Sequence, residues 1–185
     1  GNFGIISPIS DKSEYPNYKL HKKDSNQKFD LINPFKVKSV DGYAMFLNLK
    51  RLKQIDGFNF FDENFFLYLE NDDLCENLNK KKENIYIVPK AKINHLGGEA
   101  VDPKYKIEIE LSRNWHWMWS KFYFNKKHFG FLFAIKMWGR KYLSSLVKTI
   151  LYFLILNKKY KLYFARFLGI SSAFLNIKAW YRPKI

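Results

Sequence analysis

Near residue 100 the residue pattern of this chain changes, and the change limits the folds open to it. Upstream, apolar runs are short and are broken every few residues by Gly, Pro, Asn or Asp; downstream, apolar residues recur at spacings of three and four over long stretches. The first pattern suits layered strands and short helices, the second a series of amphipathic helices. Charge changes at the same place. Residues 1–100 hold 15 Lys+Arg and 14 Asp+Glu, residues 101–185 hold 17 and 3, and no acidic residue follows Glu110. The sequence therefore predicts an α/β domain over residues 1–100 and a basic, aromatic, helical tail over residues 101–185.

Hydrophobic content of 47%, with 19% aromatic, is ample for buried cores in 185 residues and excludes global disorder. The single cysteine, Cys75, excludes an intrachain disulfide framework and fits a reducing compartment. On a predicted helix it reads as a small core residue, not a nucleophile. The chain starts at Gly1 with no Met and no signal-peptide pattern, which reads as an internal stretch of a longer protein.

The element pattern is legible in outline. Phe3 to Ser7 reads as a buried strand stopped by Pro8, and residues 10–35 as an irregular excursion. Val37 to Leu47 is a strand candidate interrupted at Asp41-Gly42, followed by a short helix that Asp56-Gly57 ends. Asn71 reads as the N-cap of a helix running to about Lys82, and Pro89 separates two strands, Ile85–Val88 and Ala91–His95. Asp102-Pro103 then opens a helix with Ile107, Leu111, Trp115, Met118 and Phe122 on one face. Two more helices are expected over about 131–156 and 159–168, with Gly130, Asn157 and Gly169 as breaks.

The chemistry-bearing residues lie upstream of the boundary. Glu70-Asn71-Asp72-Asp73 follows the aromatic run Phe65, Phe66, Tyr68 at a predicted helix start. The helix dipole keeps a first-turn carboxylate ionised, as a general base requires. Glu70 and Asp73, three apart, share a helix face and Asp72 points elsewhere. His95 closes a short apolar segment before Gly97-Gly98, a pair that would let backbone approach a phosphate. Taken alone, these residues have plainer readings: Asn71 and Asp72 as caps, His95 as a hydrogen-bonded strand end, Gly97-Gly98 as a turn.

The order GF-x-x-FDE-x-FFLYLE-x-x-DLC-x-x-L, then Ile-Tyr-Ile-Val-Pro, then Asn-His-Leu-Gly-Gly resembles the second half of a family 2 glycosyltransferase catalytic domain, with bacterial rhamnosyltransferase-like enzymes the nearest subgroup. The resemblance runs from about Gly4 to Gly98 and is specific from Asp56 to Gly98. It implies an α/β fold, a partial GT-A mixed sheet with helices and an α-helical C-terminal extension. It also implies an enzyme that moves a sugar, with inversion, from a nucleotide-sugar donor to a polysaccharide or lipid-linked glycan acceptor. By that resemblance Glu70 is the first candidate for the base and Asp72 the second, with Asp73 holding the local geometry. Asp41, Gly42, Asn71, Gly97 and Gly98 fall to donor and acceptor binding, and His95 to a divalent metal, Mg or Mn, completed by ligands upstream.

Two departures matter. Many relatives read Glu-Asp-x-Asp, with the second residue as the base, but this chain has Asn71 there, and an amide does not accept a proton at neutral pH. The family's Asp-x-Asp metal motif belongs upstream of Phe3 and is not in this chain, which by itself is expected not to bind a nucleotide sugar productively.

Residues 111–185 hold 15 Lys+Arg, no Asp+Glu and 20 aromatic residues. Tryptophan and tyrosine favour the membrane interface, and Lys and Arg reach anionic headgroups. This predicts a peripheral protein on the inner face of the cytoplasmic membrane. The uncharged run Thr149 to Leu156 is far shorter than the ~20 residues a crossing needs, so helices in the interface plane are expected. Ordinary helical packing and nucleic acid are the rivals; the density of Phe129, Phe131, Leu132 and Phe133 disfavours the second. A non-catalytic module binding a membrane surface or nucleic acid is the alternative to the enzyme.

Overall fold

The computed structural model describes residues 2–22, 31–95 and 102–183, a mixed α/β chain whose helices dominate its C-terminal part. It divides into two compact units, Gly1–Asp62 with Glu70–Gly97, and Glu63–Leu69 with Gly98–Ile185.

The first unit is built on a four-stranded mixed sheet. Strands β1 (Ile5–Ser10), β2 (Tyr18–Lys19), β3 (Phe35–Lys36), β4 (Ser39–Val40) and β5 (Phe46–Leu47) precede helix α1 (Leu49–Leu52), helix α2 (Glu70–Lys80) and strand β6 (Ile85–Ile93). The sheet order is β3-β6-β1-β5, with β1 and β6 parallel and both edges antiparallel; β2 and β4 form a separate two-stranded ribbon. Ile5, Ile85 and Ile87 from the sheet, Val40 from β4 and Val37 from the link before it, and Leu52, Leu74, Cys75 and Leu78 from the helices belong to one buried cluster.

Both prolines expected to end strands lie inside them. β5 reaches only Ile5 and Ile6 of β1, so among the described residues Pro8 sits where β1 has a paired strand on one side alone, and its missing N–H breaks no ladder there. Pro89 falls at a bulge. Pro8 pairs with Val88 and Ile9 with Lys92, which leaves residues 89–91 of β6 unpaired with β1. The Val37–Leu47 candidate is two two-residue pieces, β4 and β5, and within the expected irregular excursion Tyr18 and Lys19 pair with Val40 and Ser39. Asn48 caps α1, its side chain accepting from the Arg51 N–H, and Gly57 takes φ 64° in the turn beyond.

The second unit is three helices, α3 (Lys106–Phe129), α4 (Phe131–Leu154) and α5 (Tyr160–Phe174), joined by short turns. Asp102 caps a single 3₁₀ turn, Pro103–Tyr105, and α3 comes directly after it. Trp115, Met118, Trp119 and Phe122 form the buried stripe of α3, whereas Ile107 is mostly exposed. Gly130, at φ 92°, joins α3 to α4 in a conformation only glycine adopts cheaply.

Gly169 does not end α5. It lies buried within the helix, and a Cβ there would stand 2.3 Å from the Trp115 carbonyl oxygen, so its role is close approach of α5 to α3. The helix runs on to Phe174, and residues 177–181 return along α3. There Trp119 Nε1 donates to the Ile177 carbonyl at 2.9 Å, and His116 Nε2 lies 2.8 Å from the Tyr181 carbonyl. Segment 63–69 completes the core: Phe65 meets Trp119 and Tyr123 edge-on, and Ser120 Oγ donates to the Leu67 carbonyl at 2.8 Å. Among the described residues no helix is long and apolar enough to cross a membrane.

Candidate functional site

Within the first unit, three segments far apart in sequence meet at the N-terminal end of α2. Loop 41–43 follows β4, the first turn of α2 carries the acidic cluster, and His95 lies just beyond the end of β6. A Cβ placed on Gly42 would stand 3.4 Å from Asn71 Cβ and 3.9 Å from Glu70 Oε1, so the loop packs directly on that turn. Tyr43 stacks on His95, the ring centroids 4.2 Å apart and the planes 12° from parallel.

Asn71 is not the N-cap; α2 begins one residue earlier and Asn71 lies in its first turn. Its Nδ2 donates to the Val40 carbonyl at 2.8 Å, tying the turn to β4. Burial pushes the Cys75 thiol up to about 12 against an opposing backbone hydrogen bond from Val40, which makes Cys75 an inert core residue. The Val40 contact accounts for an amide at position 71: a carboxylate would set a second acceptor against the carbonyl oxygen.

The carboxylates differ sharply in surroundings. Glu70 is half-buried, and its Oε2 is buried without a hydrogen-bond partner among the described residues. Asp72 is bridged by Lys19 Nζ at 2.7 and 2.9 Å to its two oxygens. Asp73 is fully buried and accepts from Asn77 Nδ2 at 3.3 Å, the position of a residue that holds the helix rather than one that meets a ligand. Asp41 is exposed in the loop. Its carboxyl is raised first by lost solvation; Lys19 opposes that, Asp72 adds to it, and His95 opposes it. Asp41, Lys19, Asp72 and His95 therefore share one electrostatic neighbourhood.

The structure thus gathers Asp41, Gly42, Glu70, Asn71, Asp72 and His95, and sets Asp73 beneath them in the core. Gly97 and Gly98 lie outside the described residues. One member, Lys19, escaped sequence reasoning, and the contact made by Tyr43, in the loop already singled out at Asp41-Gly42, did so too. Lys19 sits on a two-residue strand too short for any periodicity to reveal, and Tyr43 is an ordinary aromatic until His95 is brought beside it. The chain enters α2 through Tyr68 and Leu69, both at positive φ (68° and 67°), a costly backbone for side-chain-bearing residues that no local pattern signals.

Among the described residues no three His, Cys, Asp or Glu side chains are grouped so as to hold a metal ion, so His95 does not belong to a complete ligand set here. Comparison with protein-family models, with curated proteins and with solved structures found no match.

Proposed function

We infer that the first unit carries the acceptor-activating half of an inverting glycosyltransferase site of GT-A type, using a nucleotide-sugar donor and a glycan or lipid-linked acceptor. The observation that carries this reading is the Glu70 carboxylate: first turn of α2, beside Gly42, with one buried oxygen that has no donor among the described residues. An acceptor hydroxyl supplies that donor. Glu70 takes its proton, the hydroxyl oxygen bonds to the anomeric carbon, and the bond from that carbon to the diphosphate breaks, the electron pair leaving with the diphosphate. The α2 N-terminus turns the positive end of its dipole toward the carboxylate that acts as base.

Asp72 is the weaker candidate, since using it as a base means displacing Lys19. Its pair with Lys19 sets the charge of the site, and Asp41 and Tyr43 shape the rim on which His95 rests. A divalent cation held by His95 would need further ligands from outside the described residues.

The test is release of nucleoside diphosphate by the full-length protein from a panel of nucleotide sugars with Mn²⁺ and candidate acceptors. Glu70→Gln is expected to lower turnover by about 10²-fold or more, with donor affinity little changed, as removal of a general base does. Full turnover in Glu70→Gln, Asp72→Asn and His95→Ala alike removes the assignment.

A further inference from the structure

We propose that the outward face of α4 docks on an anionic lipid bilayer, lying in the interface plane with its apolar stripe among the acyl chains. The proposal concerns the second unit and is independent of the glycosyl-transfer reading.

Of the 24 residues of α4, only Ala134 and Ser145 are buried. At 3.6 residues per turn those two lie on the same side, with Trp138, Tyr142 and Thr149 beside them and half-buried. On the opposite side Leu132, Lys136, Leu143, Val147 and Leu154 fall at spacings of four and seven, within one narrow sector. Leu132, Met137, Leu143, Val147, Leu151 and Leu154 are 52–80% exposed. A stripe of that size open to water is not explained by the three-helix core, which α4 already satisfies with its other side.

Charge decides what covers it. Lys136, Arg140, Lys141 and Lys148 are interspersed with the stripe, and neither α4, α5 nor any residue after Glu110 supplies a carboxylate. A second copy would therefore bring like charges together around the shared apolar strip with nothing to pair them. Nucleic acid would satisfy the lysines but leave the leucines against hydrated phosphate. An anionic bilayer answers both: hydrocarbon for Leu143, Val147 and Leu154, and headgroup phosphates for the cations beside them. With four cations along its length, α4 lies along the surface and does not cross it.

The test uses the full chain with vesicles of phosphatidylglycerol and phosphatidylcholine, and of phosphatidylcholine alone. Co-sedimentation is expected with the anionic vesicles only and should weaken at least tenfold in high salt. An environment-sensitive fluorophore on Val147→Cys should shift to the blue on binding, and the buried Cys75 should stay unlabelled. The combined variant Leu143→Glu, Val147→Glu, Leu154→Glu should lose at least tenfold in vesicle affinity, while Ile107→Glu, at an exposed apolar residue of α3, should stay within twofold. Unchanged tryptophan fluorescence in both variants shows that the second unit is folded. Three results overturn the proposal: no binding to anionic vesicles, full binding by the triple variant, or a fluorophore that stays in water on the bound protein. A dimer, or a complex with DNA, that the triple variant abolishes in the absence of any lipid binding overturns it in favour of that partner.

Discussion

At the residue scale, the two histidines of interest have opposite settings. His95 is exposed and stacked on Tyr43, whereas His116 is fully buried, pointing Nε2 at the Tyr181 carbonyl 2.8 Å away. That carbonyl can only accept, so Nε2 carries the hydrogen and Nδ1 is bare, buried and without a partner among the described residues. Protonating Nδ1 would place a charge where no acceptor waits. Burial accordingly lowers the His116 pKa, the Tyr181 contact opposes that, and Arg182 adds to it. An unfolded histidine titrates near ~6.5, so as pH falls below that value the unfolded chain takes up a proton the folded one refuses. Stability of the second unit should therefore fall between about pH 7 and pH 5, read as the melting temperature followed by tryptophan fluorescence. All five tryptophans lie in this unit, which isolates its transition. His116→Gln keeps a donor for Tyr181 and should flatten the slope; an equal slope in that variant would place the titration elsewhere.

At the scale of elements, the helices were legible and their contacts were not. Period and capping located α3 and α4 to within a few residues, because tryptophan, phenylalanine and leucine at spacings of three and four leave one solution for burial. Gly169 shows where such reasoning stops. In sequence it is a helix break; in the fold it is where α5 crosses against the Trp115 backbone. Gly169→Ala should cost about 3 kcal/mol or more in denaturant unfolding, because backbone cannot move aside as a flexible side chain can. Gly139, within α4, is the control. Its Cβ would meet nothing nearer than Ile135 Cγ2 at 3.8 Å, so Gly139→Ala should be neutral or stabilise by up to ~1 kcal/mol through helix propensity. Similar losses in both would refute the close-approach reading. Pro8 and Pro89 teach the same lesson for strands: whether proline ends a strand depends on which neighbour is present at that residue, and pairing is not written locally.

For the whole molecule, net charge is the dominant fact, +15 on 185 residues with most of it in the second unit. Such a surface repels itself in the folded state. Raising salt from about 50 mM to about 500 mM shortens the screening length from roughly 14 Å to about 4 Å. It should raise the melting temperature of the second unit by about 4 °C or more, equivalent to ~1 kcal/mol. A fall would mean that ion pairs, and not repulsion, govern its electrostatics. The change of architecture near residue 100, the helical character and basic charge of residues 101–185, and the candidacy of Glu70–Asp73 with His95 can all be read along the chain, because composition, period and motif are local properties. It took the folded chain to show that loop 41–43 packs on the first turn of α2, that Lys19 neutralises Asp72, that Asp73 is sealed in the core, and that α4 turns an apolar stripe to water. Each depends on which segments fold back on one another, and no stretch of sequence carries that information alone.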